Sequence, residues 1–307
     1  MRYLTGVLVI AFIFIPLAHV SAESSSPIIL QKWGVKGVDE GKLSNPGSVA
    51  VDSMGNIYVA DTNNFRIQKF DAKGMFVTKW GSYGPGNGQF SRPNGIAVDS
   101  MGNVYVADTN NYRIQKFTSN GAFVTKWGSL GHGNGEFNQP FGIVVDSMGN
   151  VFVTDTQNDR IQKFTSNGKY IAKWGSNGNG DGQFLYPKGI TVDSKGNVYV
   201  ADTYNRIQKF TGNGAFVAKW GSLGHGDGEL NQPFGIAVDS KGNVYVADTF
   251  NYRIQKFDAK GKHITCWGSN GTGDGQFLTP SDVSVDSKGN IYVADTNNNR
   301  IQKFAGP

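Results

Sequence analysis

Residues 93–127 read PNGIAVDSMGNVYVADTNNYRIQKFTSNGAFVTKW, and this stretch contains four short runs that are rich in β-branched and aromatic residues. Such runs favour β-strands, and the Gly- and Asn-containing segments between them favour tight turns between antiparallel neighbours. The strands are predicted over residues 95–99, 103–108, 113–117 and 122–127. The stretch therefore predicts a four-stranded antiparallel sheet.

The same unit recurs six times along the chain. The Val-Asp pair that ends its first strand places an aspartate at Asp52, Asp99, Asp146, Asp193, Asp239 and Asp286. The spacing is 47 residues except for one step of 46, because the fourth unit lacks one residue in the loop after Asp202. Four strands in each unit of this length are typical of a β-propeller. We therefore predict an all-β, six-bladed β-propeller that forms a single domain over residues 23–307.

The ends of the chain predict how the ring closes. Each unit has one tryptophan at the end of its fourth strand, and the six are Trp33, Trp80, Trp127, Trp174, Trp220 and Trp267. Trp33 precedes the first complete unit, whereas the last unit stops at Phe304 after its third strand. We predict that residues 28–33 supply the outer strand of the sixth blade, which would leave no unpaired edge in the ring.

Residues 1–22 have the pattern of a secretory signal peptide. Arg2 is followed by an apolar stretch over residues 4–18, and Val20-Ser21-Ala22 would allow cleavage before Glu23. The alternative is an uncleaved N-terminal anchor. No later apolar run is long enough to span a bilayer, so we expect no further transmembrane segment. The expected location is secreted, periplasmic or cell-surface.

Composition excludes several classes of protein. Glycine accounts for 42 of 307 residues, and so many glycines would destabilise a helix-rich fold. The hydrophobic fraction of 38% is sufficient for a packed core. A single cysteine excludes a disulfide framework and multi-cysteine zinc modules. The net charge of +5 is mild, and the lysines recur in every unit, so a nucleic-acid partner is not expected.

Three segments of each unit resemble the NHL repeat. In the second unit they are Pro93-Asn-Gly-Ile-Ala-Val-Asp99, Gly102-Asn-Val-Tyr-Val-Ala-Asp108 and Asn111-Tyr-Arg-Ile-Gln-Lys-Phe117. The resemblance covers essentially all of residues 27–307 and implies a six-bladed β-propeller. For function it implies several classes: RNA-binding or substrate-recognising propellers of tripartite-motif ubiquitin ligases, and peptidyl-hydroxyglycine lyases. The single cysteine cannot build the RING domain of such a ligase.

Residues present in all six units are interpreted as structural. An aspartate at the end of the second strand and an arginine at the start of the third are expected to pair across the loop between them. These residues are Asp61 with Arg66, Asp108 with Arg113, Asp155 with Arg160, Asp202 with Arg206, Asp248 with Arg253, and Asp295 with Arg300. The six tryptophans are expected to pack one blade against the next.

Residues that vary between units point to a binding face. The loop between the second and third strands and the long link between units should lie on one face, where aromatic side chains are candidates for ligand contact. The candidates are Phe65, Tyr112, Phe141, Tyr186, Lys188, Tyr204, Phe234, Phe250 and Tyr252. Aromatic rings mixed with polar groups suit a protein, a peptide or a glycan. The alternative is that these rings pack only on one another.

An enzyme of the lyase type would need metal-ligating histidines around the channel, as the resemblance implies. After residue 22 the chain has His132, His225 and His263, whose positions do not converge on a zinc site. Cys266 stands on an outer strand, where we interpret it as an incidental thiol. We expect no cofactor and no catalytic residue. The alternative is Ca²⁺ in the central channel, with Asp282 as the candidate ligand.

The predicted function is a secreted, monomeric, non-enzymatic propeller that binds a protein, peptide or glycan on its loop-rich face. The first alternative is a metal-dependent lyase or hydrolase of the peptidyl-hydroxyglycine lyase type. The second is a structural surface protein, which would differ by associating with itself.

Overall fold

A computed structural model of the chain describes residues 27–306. Its 24 strands form six four-stranded antiparallel sheets, and each sheet is one blade of a ring. The predicted six-bladed β-propeller is therefore confirmed. The predicted signal peptide lies outside the described residues. Within residues 27–306, no helix is both long enough and apolar enough to cross a membrane.

Each blade runs from an inner strand at the ring axis to an outer strand at the rim. The inner strands are β2 (Pro46–Val51), β6 (Pro93–Val98), β10 (Pro140–Val145), β14 (Pro187–Val192), β18 (Pro233–Val238) and β22 (Pro280–Val285). The second strands are β3 (Ile57–Asp61), β7 (Val104–Asp108), β11 (Val151–Asp155), β15 (Val198–Asp202), β19 (Val244–Asp248) and β23 (Ile291–Asp295). The third strands are β4 (Arg66–Phe70), β8 (Arg113–Phe117), β12 (Arg160–Phe164), β16 (Arg206–Phe210), β20 (Arg253–Phe257) and β24 (Arg300–Phe304). The outer strands are β5 (Phe76–Trp80), β9 (Phe123–Trp127), β13 (Tyr170–Trp174), β17 (Phe216–Trp220), β21 (His263–Trp267) and β1 (Ile29–Trp33).

The N-terminal strand closes the ring, as predicted. Strand β1 pairs antiparallel with β24, with Ile29 opposite Phe304 and Trp33 opposite Ile301. The ring of Trp33 lies 6.1 Å from that of Phe70, so the same strand also contacts the first blade. The sixth blade thus combines the two ends of the chain, and closure depends on both.

The core lies between neighbouring blades. Tyr58 of the first blade packs with Phe90 and Phe117 of the next unit, and these side chains are fully buried. Trp80, at the end of the first outer strand, lies 5.9 Å from Phe117 between ring centroids. Because this pattern repeats around the ring, each blade contributes large apolar side chains that are worth about 1.5–3 kcal/mol each when fully buried.

A 3-10 helix follows the second strand in five blades, where the sequence predicts only a loop. The five helices are η1 (Thr62–Asn64), η2 (Thr109–Asn111), η3 (Thr156–Asn158), η4 (Thr249–Asn251) and η5 (Thr296–Asn298). In the fourth blade, which has one residue fewer, Thr203–Asn205 forms a simple turn. The fourth blade is therefore the irregular one on this face.

Candidate functional site

The loop after the second strand and the long link between units lie together on one face, which we call the loop face. The backbone N–H of Asn63 donates to the carbonyl of Ser44 at 3.1 Å, and that of Gln157 donates to Asn138 at 3.0 Å. Equivalent bonds join the loop to the link that precedes its blade in five of the six blades. Side chains of both segments can therefore contribute to one surface.

A buried polar network below this face holds the loops in place. In every blade the arginine Nε lies 2.7–2.9 Å from the carboxylate of the paired aspartate, and each aspartate is fully buried. In the second blade Asp108 also accepts the N–H of Ser91 at 2.7 Å, and Arg113 donates to link carbonyls. A glutamine of the third strand joins the network, as Gln115 does by donating to Gln89 at 2.7 Å. This glutamine was not predicted to take part in the network, although it recurs in all six units.

Four of the predicted contact residues meet at the mouth of the central channel. The rings of Phe141 and Phe234 are 6.2 Å apart, and Phe234 is 6.2 Å from Phe250. Lys188 lies between the first two, with its Nζ 4.1 Å from the Phe141 centroid and 5.6 Å from the Phe234 centroid. Side chains of the third, fourth and fifth blades are thus brought together. We call these four residues the mouth cluster.

Lys188 has no anionic partner in the described part of the chain. No carboxylate of residues 27–306 forms an ion pair with it, and its ammonium contacts ring faces instead. Burial and, to a smaller extent, the nearby charge of Arg92 lower the pKa of Lys188 to about 8. An ammonium that is poorly solvated and lacks a counter-ion favours an incoming anion.

A pocket opens beside the mouth cluster, between the fourth and fifth blades. Its volume is about 450 Å³, and it is lined by Leu185, Tyr186, Lys188, Thr203, Tyr204, Gln232 and Phe234. Four of these are predicted contact residues. The side chains of Tyr186 and Tyr204 are about half exposed, at 49% and 50%. We call this cavity the loop-face pocket. Leu185, Thr203 and Gln232 were not predicted to line it, because none of them has the aromatic side chain that identified most of the candidates.

The missing residue of the fourth blade explains why the pocket is there. In the other five blades the loop threonine donates its hydroxyl to the carbonyl of the proline that begins the next inner strand, as Thr156 does to Pro187 at 2.7 Å. Thr203 instead donates to Leu185, in the link before its own blade, at 2.8 Å. The fourth blade therefore lacks the threonine hydrogen bond that joins each of the other blades to the next one. The space between the fourth and fifth blades is open at this point.

The other predicted contact residues lie apart from this pocket. Phe65 packs on Tyr83 with ring centroids 5.0 Å apart. Tyr112 and Tyr252 follow their 3-10 helices in the left-handed conformation, with φ of 55° each, and are partly buried. The structure therefore gathers six of the nine candidates near the channel mouth and leaves Phe65, Tyr112 and Tyr252 at separate positions on the loop face.

Asp282 lies in the central channel, a cavity of about 170 Å³ that the inner strands line. Its carboxylate accepts hydrogen bonds from the Ser48 hydroxyl, from Val49 N–H at 3.1 Å and from Val283 N–H at 2.9 Å. Burial raises its pKa to about 6. Among the described residues that line the channel, Asp282 is the one carboxylate, and donors surround it. This arrangement ties the sixth blade to the first and does not assemble the several oxygen ligands that Ca²⁺ requires.

Comparison with known families agrees with this geometry. The NHL repeat model matches residues 43–70, 90–117, 230–257 and 277–304, and a 6-bladed beta-propeller model, a domain of unknown function, matches residues 144–211. Together the matches fall on parts of all six blades. The chain is a closed propeller built from repeated units of one type. It contains NHL repeats in four of its blades and forms a six-bladed propeller.

Two curated relatives share short segments with the chain. The B-box type zinc finger protein ncl-1 of Caenorhabditis elegans is 56% identical over 45 residues, which is 15% of this chain and 5% of that protein. The protein brain tumor of Drosophila melanogaster is 42% identical over 73 residues, which is 24% of this chain and 7% of that protein. The similarity thus extends over a small part of either relative.

Solved structures resemble the chain over most of its length. A structural-genomics protein of unknown function from Bacteroides thetaiotaomicron has a TM-score of 0.70 at 19% identity, covering 91% of this chain and 75% of that one. A streptogramin B lyase has a TM-score of 0.64 at 17% identity, covering 89% of this chain and 96% of that one. At these identities the likeness concerns the fold alone.

Proposed function

We propose that this protein is an extracytoplasmic binding propeller that recognises an acidic segment of a partner protein in the loop-face pocket. The observation that carries the proposal is the ammonium of Lys188, which lies between two phenyl rings at the edge of a cavity and has no ion-pair partner in residues 27–306. A ligand carboxylate would supply that partner. The extracytoplasmic location is part of the proposal and rests on the signal-peptide pattern of residues 1–22.

The lining of the pocket favours a peptide as the source of the carboxylate. Phe234, Tyr186 and Tyr204 offer ring faces for an apolar side chain next to the acid. A sugar ring needs several directed hydrogen bonds to its hydroxyls, whereas the hydroxyl of Thr203 already donates to the carbonyl of Leu185 in the link. Aromatic anchors around one charged group are the composition expected for a small hot spot in a protein interface.

Arrays of peptides and glycans test the proposal on the full protein. We expect binding of peptides in which Asp, Glu or a free C-terminal carboxylate adjoins an apolar residue, and loss of binding when that acid is amidated. Lys188→Met should weaken the best peptide about 10–100-fold, because a hydrogen bond to a charged group is worth about 1.5–3 kcal/mol. Lys188→Arg should keep most of the affinity.

A matched aromatic variant separates this pocket from the rest of the loop face. Phe65→Ala removes a ring of the same face that lies against Tyr83, outside the pocket, and should leave affinity unchanged. The combined substitution Phe141→Ala, Tyr204→Ala, Phe234→Ala should abolish binding. Capture of neutral glycans instead of acidic peptides, or full binding by Lys188→Met, would refute the proposed ligand.

A further inference from the structure

The rim of the fifth blade departs from the pattern of the other blades at two positions. The residue before the outer-strand tryptophan is Cys266 here, whereas the other five blades have Lys32, Lys79, Lys126, Lys173 and Lys219. The first residue of the outer strand is His263 here, whereas the others have Ile29, Phe76, Phe123, Tyr170 and Phe216. Two metal-ligating side chains have thus replaced a cation and an apolar side chain in the same strand.

The link that leads into the fifth blade keeps its acidic residue. In three other blades the equivalent acid pairs with the outer-strand lysine: Lys79 with Glu40 at 3.6 Å, Lys219 with Asp181 at 2.6 Å, and Lys32 with Asp274. These ion pairs attach the link to the rim. In the fifth blade Asp227 is retained, but its lysine partner is replaced by Cys266. The fifth blade therefore has the acid without the lysine that pairs with it in those three blades.

The three side chains converge on one point. The Nδ1 of His263 lies 3.8 Å from Asp227 Oδ2, and the Sγ of Cys266 lies 3.8 Å from Asp227 Oδ1. One ligand atom from each of the three residues falls within 4.8 Å of the other two. Bond lengths of about 2.0–2.3 Å around tetrahedral zinc place its ligand atoms about 3.3–3.8 Å apart. The cluster therefore needs only a small contraction to enclose such an ion.

We propose that Asp227, His263 and Cys266 form a zinc site at the rim of the fifth blade, which joins the link to the outer strand where other blades use a lysine–acid pair. A thiolate, an imidazole and a carboxylate form a ligand set that suits Zn²⁺, whereas Mg²⁺ and Ca²⁺ prefer oxygen ligands alone. The side chain of Asp227 is 72% exposed, so water has access to the fourth position.

His263 keeps the ring packing of the other blades, and Cys266 would bind the metal as a thiolate. The imidazole of His263 packs edge-on to Phe257 at 5.8 Å, as the phenyl rings of other blades do, so it keeps the packing and adds nitrogen ligands. Its Nδ1 is the nitrogen that lies near Asp227, whereas its buried Nε2 has no hydrogen-bond partner among the described residues. Burial raises the pKa of the Cys266 thiol, while Arg253 opposes that rise and Asp227 adds to it. Zinc binding would replace the thiol proton and release it to solvent.

Metal titration of the full protein after chelator treatment tests the site. We expect one Zn²⁺ per chain by calorimetry, a higher melting temperature with zinc, and a sulfur-to-metal charge-transfer band when Co²⁺ is used as the probe. Two variants restore what the other blades have, so both should fold: Cys266→Lys and His263→Phe. Each should weaken zinc binding at least about tenfold and remove the zinc-dependent rise in melting temperature.

A neighbouring histidine provides the control. His225 lies in the same link but bonds to Asn251 through Nδ1 at 2.6 Å, so His225→Ala should bind zinc like the natural chain. The proposal is overturned if the natural chain does not bind zinc, or if Cys266→Lys and His263→Phe bind it equally well. It is also overturned if Co²⁺ gives no thiolate band. The site lies at the rim and does not depend on the peptide-binding proposal.

Discussion

At the scale of single residues, the informative positions are those where one unit differs from the other five. Asp282 stands where four other units have glycine, and its carboxylate bonds to Ser48 and Val49 across the seam between the sixth and first blades. Lys188 follows the proline of its inner strand, where two other units have phenylalanine. Both side chains are ionisable and poorly solvated. The titration of Asp282 therefore reports on the seam between the sixth and first blades, and that of Lys188 reports on the mouth cluster.

Replacing Asp282 should stabilise the ring at neutral pH. Its folded-state pKa of about 6 exceeds the unfolded value of 3.8, so the folded chain binds the proton more tightly. Stability consequently falls as pH rises from about 4 to 6, and the cost of up to about 3 kcal/mol persists above that range. Asp282→Asn keeps an acceptor for Ser48 and removes the charge. Urea unfolding should show a gain at pH 7.5 and little difference at pH 4.

Replacing an exposed acid should change the stability in the opposite direction, so such a variant serves as the control. Lys32 lowers the pKa of Asp274 through a hydrogen bond, so Asp274→Asn should bring a small loss at pH 7.5. If Asp282→Asn destabilised the chain at pH 7.5, the ionised carboxylate would stabilise the contact between the sixth and first blades. The argument that its burial lowers the stability of the folded chain would then be wrong.

Peptide affinity should depend on the protonation of Lys188. Because its pKa in the free protein is about 8, the dissociation constant for an acidic, N-acetylated peptide should be nearly constant between about pH 6 and 7, where the peptide carboxylate is ionised. Above about pH 8 it should rise by up to tenfold per pH unit as the ammonium is lost. Lys188→Arg stays charged and should show a flat profile up to pH 10. A flat profile for the natural chain would show that the ammonium does not contact the ligand.

At the scale of elements, the repeat made the strands predictable and left the pocket unpredictable. The third strand was predicted as residues 113–117, which are its observed bounds, and the others differ by one or two residues at one or both ends. Alternation and turn residues determine these bounds locally. The loop-face pocket depends on which carbonyl Thr203 reaches, and the zinc cluster depends on the distance from Asp227 to His263. Neither can be derived from the spacing of strands, since both depend on contacts between a link and residues that follow it at a distance along the chain.

Lengthening the short loop of the fourth blade should close the pocket. Inserting one Asn between Tyr204 and Asn205 restores the loop length of the other units, so Thr203 should again reach the carbonyl of Pro233. We expect at least a tenfold loss of peptide affinity and a melting temperature that is unchanged or higher. A glycine inserted beside Gly196, in a turn on the opposite face, should leave affinity unchanged. Full affinity of the Asn variant would separate the binding site from this loop.

At the scale of the whole molecule, stability depends on a ring of equivalent interfaces, one of which is made by the chain ends. Trp33 packs between Phe70 of the first blade and Tyr292 of the sixth, with ring centroids 6.1 and 6.4 Å away. Trp127 makes the equivalent contacts with Phe164 and Tyr105, at 5.9 and 6.4 Å. The closing interface therefore has the same packing as an interface within the continuous chain, although its outer strand comes from residues 29–33.

Removing the closing strand should destabilise the entire ring and not only one blade. Deleting residues 28–33 exposes the edge of β24 and uncovers Tyr292, so we expect a sharply lower melting temperature by circular dichroism. Two point variants calibrate the result: Trp33→Ala and Trp127→Ala should each cost about 3–5 kcal/mol of unfolding free energy. Similar costs would show that the seam is as cooperative as the other interfaces. A Trp33→Ala variant as stable as the natural chain, together with a deletion that melts normally, would mean that five blades hold their shape without closure.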